Sequence, residues 1–162
     1  MRMCTYAFDM LPAATPRLRF REMAEDDTSN VAMLDIGSRG PGGWVEWNQR
    51  NYDEHGFGLW IIETHAGDFV GDCGLTMQEV EGAWHVEAGW HVRSDLRRQG
   101  YATEAAWAVR DVARALGVEH LIAIIRPDNL ASQQVALKIG LSLEGEVEKN
   151  GGPALIFGAD LT

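Results

Sequence analysis

A chain of 162 residues with 46% apolar content can bury one core without staples, and its formal charge of -10 disfavours the basic surface that binds a nucleic-acid backbone. No run approaches the roughly 18 consecutive apolar residues of a membrane span, and Met1 to Met10 lacks the basic-then-apolar order of an export signal, so a soluble cytoplasmic protein without nucleic-acid or membrane partners is expected, as monomer or homodimer. Cys4 and Cys73 lack the paired spacing of a metal or redox site, so inert thiols and no metal are expected.

Along the chain, Arg17 to Met23 alternates basic and apolar residues with period two, which predicts a strand with one buried face. Asp26 and Asp27 can cap a helix through Val31, Leu34 and Ile36, with Gly37 as its stop. Gly37 to Gly43 reads as a loop, and Trp44 to Glu54 as a second helix with Trp44, Trp47 and Asn51 on one face. Those tryptophans either pack a core or wall a pocket. Leu59 to Thr64 and Phe69 to Met77 form a hairpin about Ala66-Gly67-Asp68, and Trp84 to Val92 follows the turn Glu81-Gly82 as a third antiparallel strand. From Thr103 the apolar spacing becomes helical and ends at Gly117. Leu121 to Ile125 reads as a buried strand, and Asp128 or Asn129 caps a helix that stops at Gly140. Leu141 to Lys149 and Ala154 to Leu161 flank Asn150-Gly151, a hairpin signal. The sum is one domain over 1–162, with 1–14 as an irregular extension, built on a mixed α/β sheet.

Val92 to Glu104 joins a strand to an amphipathic helix through a short basic turn, Arg97-Arg-Gln-Gly-Tyr-Ala102. A helix start leaves several N–H groups unpaired and carries about half a positive charge, so it suits a phosphate. Gly100 lets backbone approach, Arg97 and Arg98 add charge, and Ala102 keeps the turn slim. By physics alone, an ordinary strand-to-helix turn with solvated arginines stays open beside anion binding.

That turn resembles the R/Q-x-x-G-x-G/A signature of GNAT acetyltransferases. Thr15 to Arg21 with Asp26-Asp27, Val70-Gly71, Glu87 to Val92, Asn129 to Ser132, Val135 to Gly140 and Leu143 to Gly145 resemble successive landmarks of the branch holding the Rim-type ribosomal-protein N-terminal acetyltransferases. The resemblance implies a single α/β (α+β) domain with a mixed, mostly antiparallel sheet of about six to seven strands and about four helices. It implies acetyl-CoA as co-substrate, transfer to a primary amine, and no metal. Backbone at His91 and Val92 would hold pantetheine and acetyl carbonyl, and Arg97, Arg98, Gln99, Gly100, Tyr101, Ala102 and Thr103 would wrap the pyrophosphate. Asn129 would lie beside the pantetheine or simply cap its helix.

Glu87 is the first candidate for the base, with His91 and Glu148 as alternatives, because side chains alternate along the strand and the face that meets substrate is not legible. His85 and His91 as metal ligands would need partners that the sequence does not place. Ala136 stands where many members of the family carry a proton-donating tyrosine, and Ser132 matches a serine given that role in Rim-like relatives. Trp44 and Trp47 border the expected acceptor region. The acceptor is read as a peptide N-terminus or a small amine, with a non-catalytic acyl-CoA-binding module as the alternative from another class.

Overall fold

The computed structural model describes residues 11–162; Cys4 and residues 1–10 of the expected extension lie outside the described residues. The order is β1 (Leu18–Arg21), α1 (Thr28–Val31), α2 (Gly40–His55), β2 (Leu59–Thr64), β3 (Phe69–Val80), β4 (Ala83–Val92), α3 (Tyr101–Ala115), β5 (His120–Ile125), α4 (Leu130–Lys138), β6 (Ser142–Lys149) and β7 (Gly152–Asp160). This is the expected succession of strands and helices. One seven-stranded sheet forms in the order β1-β2-β3-β4-β5-β7-β6. Neighbours are antiparallel except β4 and β5.

Local chemistry explains the turns. Glu81 and Gly82 have φ of 49° and 82°, and Asn150 and Gly151 have 55° and 83°, the paired left-handed geometry of two-residue hairpins. At the end of α3, Val118 N–H donates to Ala113 O at 3.0 Å and Gly117 N–H to Arg114 O at 3.1 Å. Leu141 and Gly140 repeat this pair of bonds to Ala136 and Leu137 after α4, so both helices close in Schellman geometry. Ala105, Ala106, Val109 and Ala113 of α3 are fully buried, and the helix lies against β3 and β4. Gly71 admits close strand packing: a Cβ there would come 1.9 Å from His91 O. The Cys73 thiol is buried, which pushes its pKa well up and leaves it inert.

Two expectations change. Gly37–Arg39 is a 3₁₀ turn and Gly40 to Gly43 opens α2 instead of forming a loop. Pro41 presets the first turn, where N–H groups have no partner to lose, and buried Trp44, Val45, Asn48 and Tyr52 anchor the rest. α1 is a single turn that ends at Val31, and Asp27 does not cap it by its side chain. Its carboxylate instead accepts from Arg21 Nη1 and Nη2 at 2.7 and 2.8 Å and from Ala24 N–H at 2.7 Å.

Candidate active site

β4 and β5 pair only at Val86↔Leu121 and Glu87↔Ile122. On its other edge β4 stays in register with β3 as far as Gly71↔Val92, so the backbone from Ala88 to Val92 faces a wedge with no strand partner on the β5 side. Glu87 stands at the apex. Its Oε2 accepts Ile124 N–H at 2.8 Å, across the gap, and its Oε1 lies 3.4 Å from the Thr76 hydroxyl. Burial pushes the Glu87 carboxyl up to about 7, against the opposing effects of the Ile124 N–H, the His91 charge and Thr76.

The wedge opens toward the start of α3. Arg98, at φ 64°, and Gly100, at φ 82°, turn the chain sharply. The first helical bond of α3 runs from Glu104 N–H to Gly100 O at 3.0 Å, and among the described residues no side chain caps the helix. The N–H groups of Tyr101, Ala102 and Thr103 therefore precede the hydrogen-bonded ladder and are available to an anion. Arg97 and Arg98 flank them, both exposed.

Arg17 braces this turn from β1's side. Its Nη1 donates to Gln99 O and its Nε to Glu104 Oε1, each at 2.7 Å, and its guanidinium lies 4.3 Å from the Tyr101 ring centroid. Backbone Arg17 N–H and the Thr15 hydroxyl both donate to Glu104 Oε2. The Tyr101 ring is thus engaged by Arg17, which leaves its main chain for a ligand.

Alternation along the strands puts Asp72 and Thr76 on the same sheet face as Glu87 and His91, beneath α2. Asp72 is fully buried; its Oδ1 lies 2.7 Å from His91 Nδ1, and its Oδ2 accepts Trp44 Nε1–H at 2.9 Å. The Trp44 ring meets His91 edge-on at 5.5 Å and Trp47 at 5.3 Å, while the Arg39 guanidinium lies 4.2 Å from the Trp47 ring centroid. Trp44 is buried and backs the histidine; Trp47 is half-buried. Burial disfavours the His91 imidazolium, yet the charge and hydrogen bond of Asp72, with Glu87 and Asp35, outweigh it and raise the His91 pKa above its ordinary value.

On the opposite face, Trp90 Nε1–H donates to Ser132 Oγ at 3.3 Å. Asn129 caps α4, its Oδ1 accepting Ser132 N–H at 3.1 Å. Ala136, one turn beyond Ser132, is fully buried. Glu148 is exposed on the β6–β7 hairpin, and His85 is half-buried on β4.

The structure thus brings Glu87, His91 and Trp44 together on one face, and the Arg97 to Thr103 turn beside the wedge. Sequence reasoning missed Asp72 and Arg17. An acid inside the apolar run Phe69 to Met77 was a signal for the first. The two-residue turn that pairs Val80 with Ala83 also fixes Asp72 opposite His91 by counting back along both strands.

A family model described as "Acetyltransferase (GNAT) domain" matches residues 17–142. The Bacillus subtilis (strain 168) protein YkkB is 37% identical over 118 residues, covering 70% of this chain and 67% of YkkB. Among solved structures, Salmonella typhimurium yncA, determined with its cofactor acetyl-CoA, has a TM-score of 0.71 at 15% identity over 90% of this chain and 95% of its own. RimL, a ribosomal L7/L12 alpha-N-protein acetyltransferase, has a TM-score of 0.73 at 16% identity over 93% of this chain and 98% of its own. With the family model spanning most of the chain, and the seven-stranded sheet parted between β4 and β5, this chain belongs to the GNAT acetyltransferase family.

Proposed function

We propose that this acetyltransferase moves the acetyl group of acetyl-CoA directly onto a primary amine in a ternary complex, in the cytoplasm and without a metal. The wedge beside the uncapped start of α3, with Glu87 at its apex, is the observation that supports this most strongly. The residues present fit the coenzyme. Free N–H groups of Tyr101, Ala102 and Thr103 grip the pyrophosphate, Arg97 and Arg98 supply charge, and Gln99 and Gly100 shape the turn. His91 and Val92 offer open strand backbone to the pantetheine arm, and Asn129 borders it.

The acetyl-CoA thioester provides the activated acyl group. Glu87 takes a proton from the attacking nitrogen as the C–N bond forms and the C–S bond breaks. Ser132 accepts a hydrogen bond from Trp90, so its own proton remains free for the leaving sulfur, and water reprotonates it. Trp47 walls the acceptor side, and Trp44, packed into the core, backs His91.

The acceptor in this reading is a protein or peptide α-amine, as in the Rim-type branch. An α-amine with a pKa near 8 costs only about 1 to 1.5 kcal/mol to deprotonate at pH 7, against roughly 4 to 5 for an alkyl amine near 10.4. A steady-state thiol-release assay over peptides and small amines tests it. Peptide turnover is expected; turnover of free amines alone would reassign the acceptor, and coenzyme binding without any turnover would leave a binding module.

Arg17→Ala is expected to raise the KM for acetyl-CoA about fivefold, roughly 1 kcal/mol, with little change in kcat. Arg17 holds the turn through Gln99 O and Glu104 without meeting the acyl group. Initial rates against acetyl-CoA concentration check this.

A further inference from the structure

An acceptor nitrogen that arrives as an ammonium must lose two protons, one before it can attack and one after the C–N bond forms. The balance is R–NH₃⁺ plus acetyl thioester giving acetamide, thiol and one H⁺. Glu87, at the thioester end, accounts for one proton. We infer that His91, oriented by Asp72 and Trp44, is the catalytic base for the other: it takes the first proton from the acceptor ammonium and hands it to solvent, with Asp72 as its positioning residue. This rests on the acetyl-transfer reading above.

The geometry is specific to that task. Asp72 is 0% exposed and both its oxygens are occupied, one against His91 Nδ1 at 2.7 Å and one by Trp44 Nε1–H at 2.9 Å. A carboxylate at Nδ1 makes that nitrogen the donor and leaves the lone pair on Nε2. Nε2 has no protein partner among the described residues, and the side chain keeps 29% of its surface exposed. The imidazole is therefore clamped on its inner side and open on its outer side. Trp44, edge-on at 5.5 Å, limits rotation of the ring. Burying a carboxylate is costly, and anchoring a tryptophan alone would not require a half-open histidine as the second partner. Glu87 is placed differently, since its Oε2 is held by Ile124 N–H at the bottom of the wedge.

The charged groups that act on His91 are Asp72 from β3, Glu87 from its own strand and Asp35 from the segment between α1 and α2; the Trp44 ring adds none. All three are acidic. They favour the imidazolium, which makes proton capture from an ammonium less uphill.

The test joins NMR titration of the His91 ring in the free protein with kcat/KM against pH for the fastest amine in the panel. An Nδ1–H tautomer and a titration midpoint above the ordinary histidine value are expected. Asp72→Asn should lower that midpoint, move the His91 ionisation in the acid limb of kcat/KM to lower pH with it, and cut the plateau about tenfold. His91→Gln should cut the plateau at least ~tenfold and remove the His91 ionisation from the acid limb, leaving that of Glu87. An Nε2–H tautomer, a His91→Gln plateau within about twofold of wild type, or a slower Asp72→Asn enzyme with an unmoved limb would each overturn the inference. Should Asp72→Asn fail to fold, His91→Gln decides. A wild-type chain that acetylates no amine would instead sink the acetyl-transfer reading, while the titration still reports the ring by itself.

Discussion

Glu87→Gln should lower amine turnover at pH 7 by about a hundredfold or more and, at the same time, make the protein more stable above pH 7. The two effects have one cause. Glu87 sits at the apex of the β4–β5 wedge, where burial lifts its carboxyl to about 7 from the ordinary 4.5. A base with a pKa near the working pH combines a useful ionised fraction with real proton affinity, and general-base contributions of roughly 10² to 10⁴ follow. The stability sign is set by linkage. The folded state holds this proton more tightly than the unfolded chain, so Glu87 contributes fully below about pH 4.5, and the contribution is lost as pH rises through about 7. Glutamine keeps an oxygen for the Ile124 N–H and never ionises, so the loss disappears. Thermal melts should therefore show the variant ahead of wild type at pH 8 and level with it at pH 4, while the rate profile keeps the limb set by His91 and loses the Glu87 limb near 7. A variant that keeps its rate and that limb would remove Glu87 from the proton path.

Much of the fold was legible because its signals are local. Asn150-Gly151 and Glu81-Gly82 specify two-residue turns, period two marks β1, and the apolar spacing after Thr103 marks α3. The start of α2 was not. Gly40 to Gly43 reads as loop by propensity, and becomes helix because Trp44, Val45 and Tyr52 tie the segment to the core, a gain that no window of sequence contains. The site divides in the same way. The turn from Arg97 to Thr103 announces itself through composition at a strand-to-helix junction. Arg17 meets Glu104 across 87 residues, and neither side chain carries a mark of the other in sequence. The pairing of Asp72 with His91 lies between these cases, since the hairpin register determines it once the turn is known. His91 was read for its main chain and as an alternative base to Glu87; the buried carboxylate opposite is what singles out its side chain.

Gly100→Trp should weaken acetyl-CoA binding about a hundredfold, and Arg97→Glu about tenfold, both measurable by calorimetry with the free coenzyme. Gly100 has φ of +82°, which side-chain-bearing residues rarely adopt, and it is the residue from which α3 starts. A Cβ at this position would already come 3.3 Å from Arg17 Nη2, so any larger group must turn away from that arginine or displace it. Displacement frees the Gln99 carbonyl that Arg17 holds at 2.7 Å and loosens the turn; turning away fills the space over the Tyr101 to Thr103 N–H groups. Either course removes the backbone grip, whereas Arg97→Glu leaves the backbone intact and only reverses a charge on an exposed side chain. The two variants should therefore separate by salt. The Arg97→Glu deficit should shrink as ionic strength rises and screens the repulsion, and the Gly100→Trp deficit should persist, because a filled site is not screened. Equal salt sensitivity in both would mean that the turn attracts the coenzyme by charge alone, and unchanged affinity in both would place the pyrophosphate elsewhere.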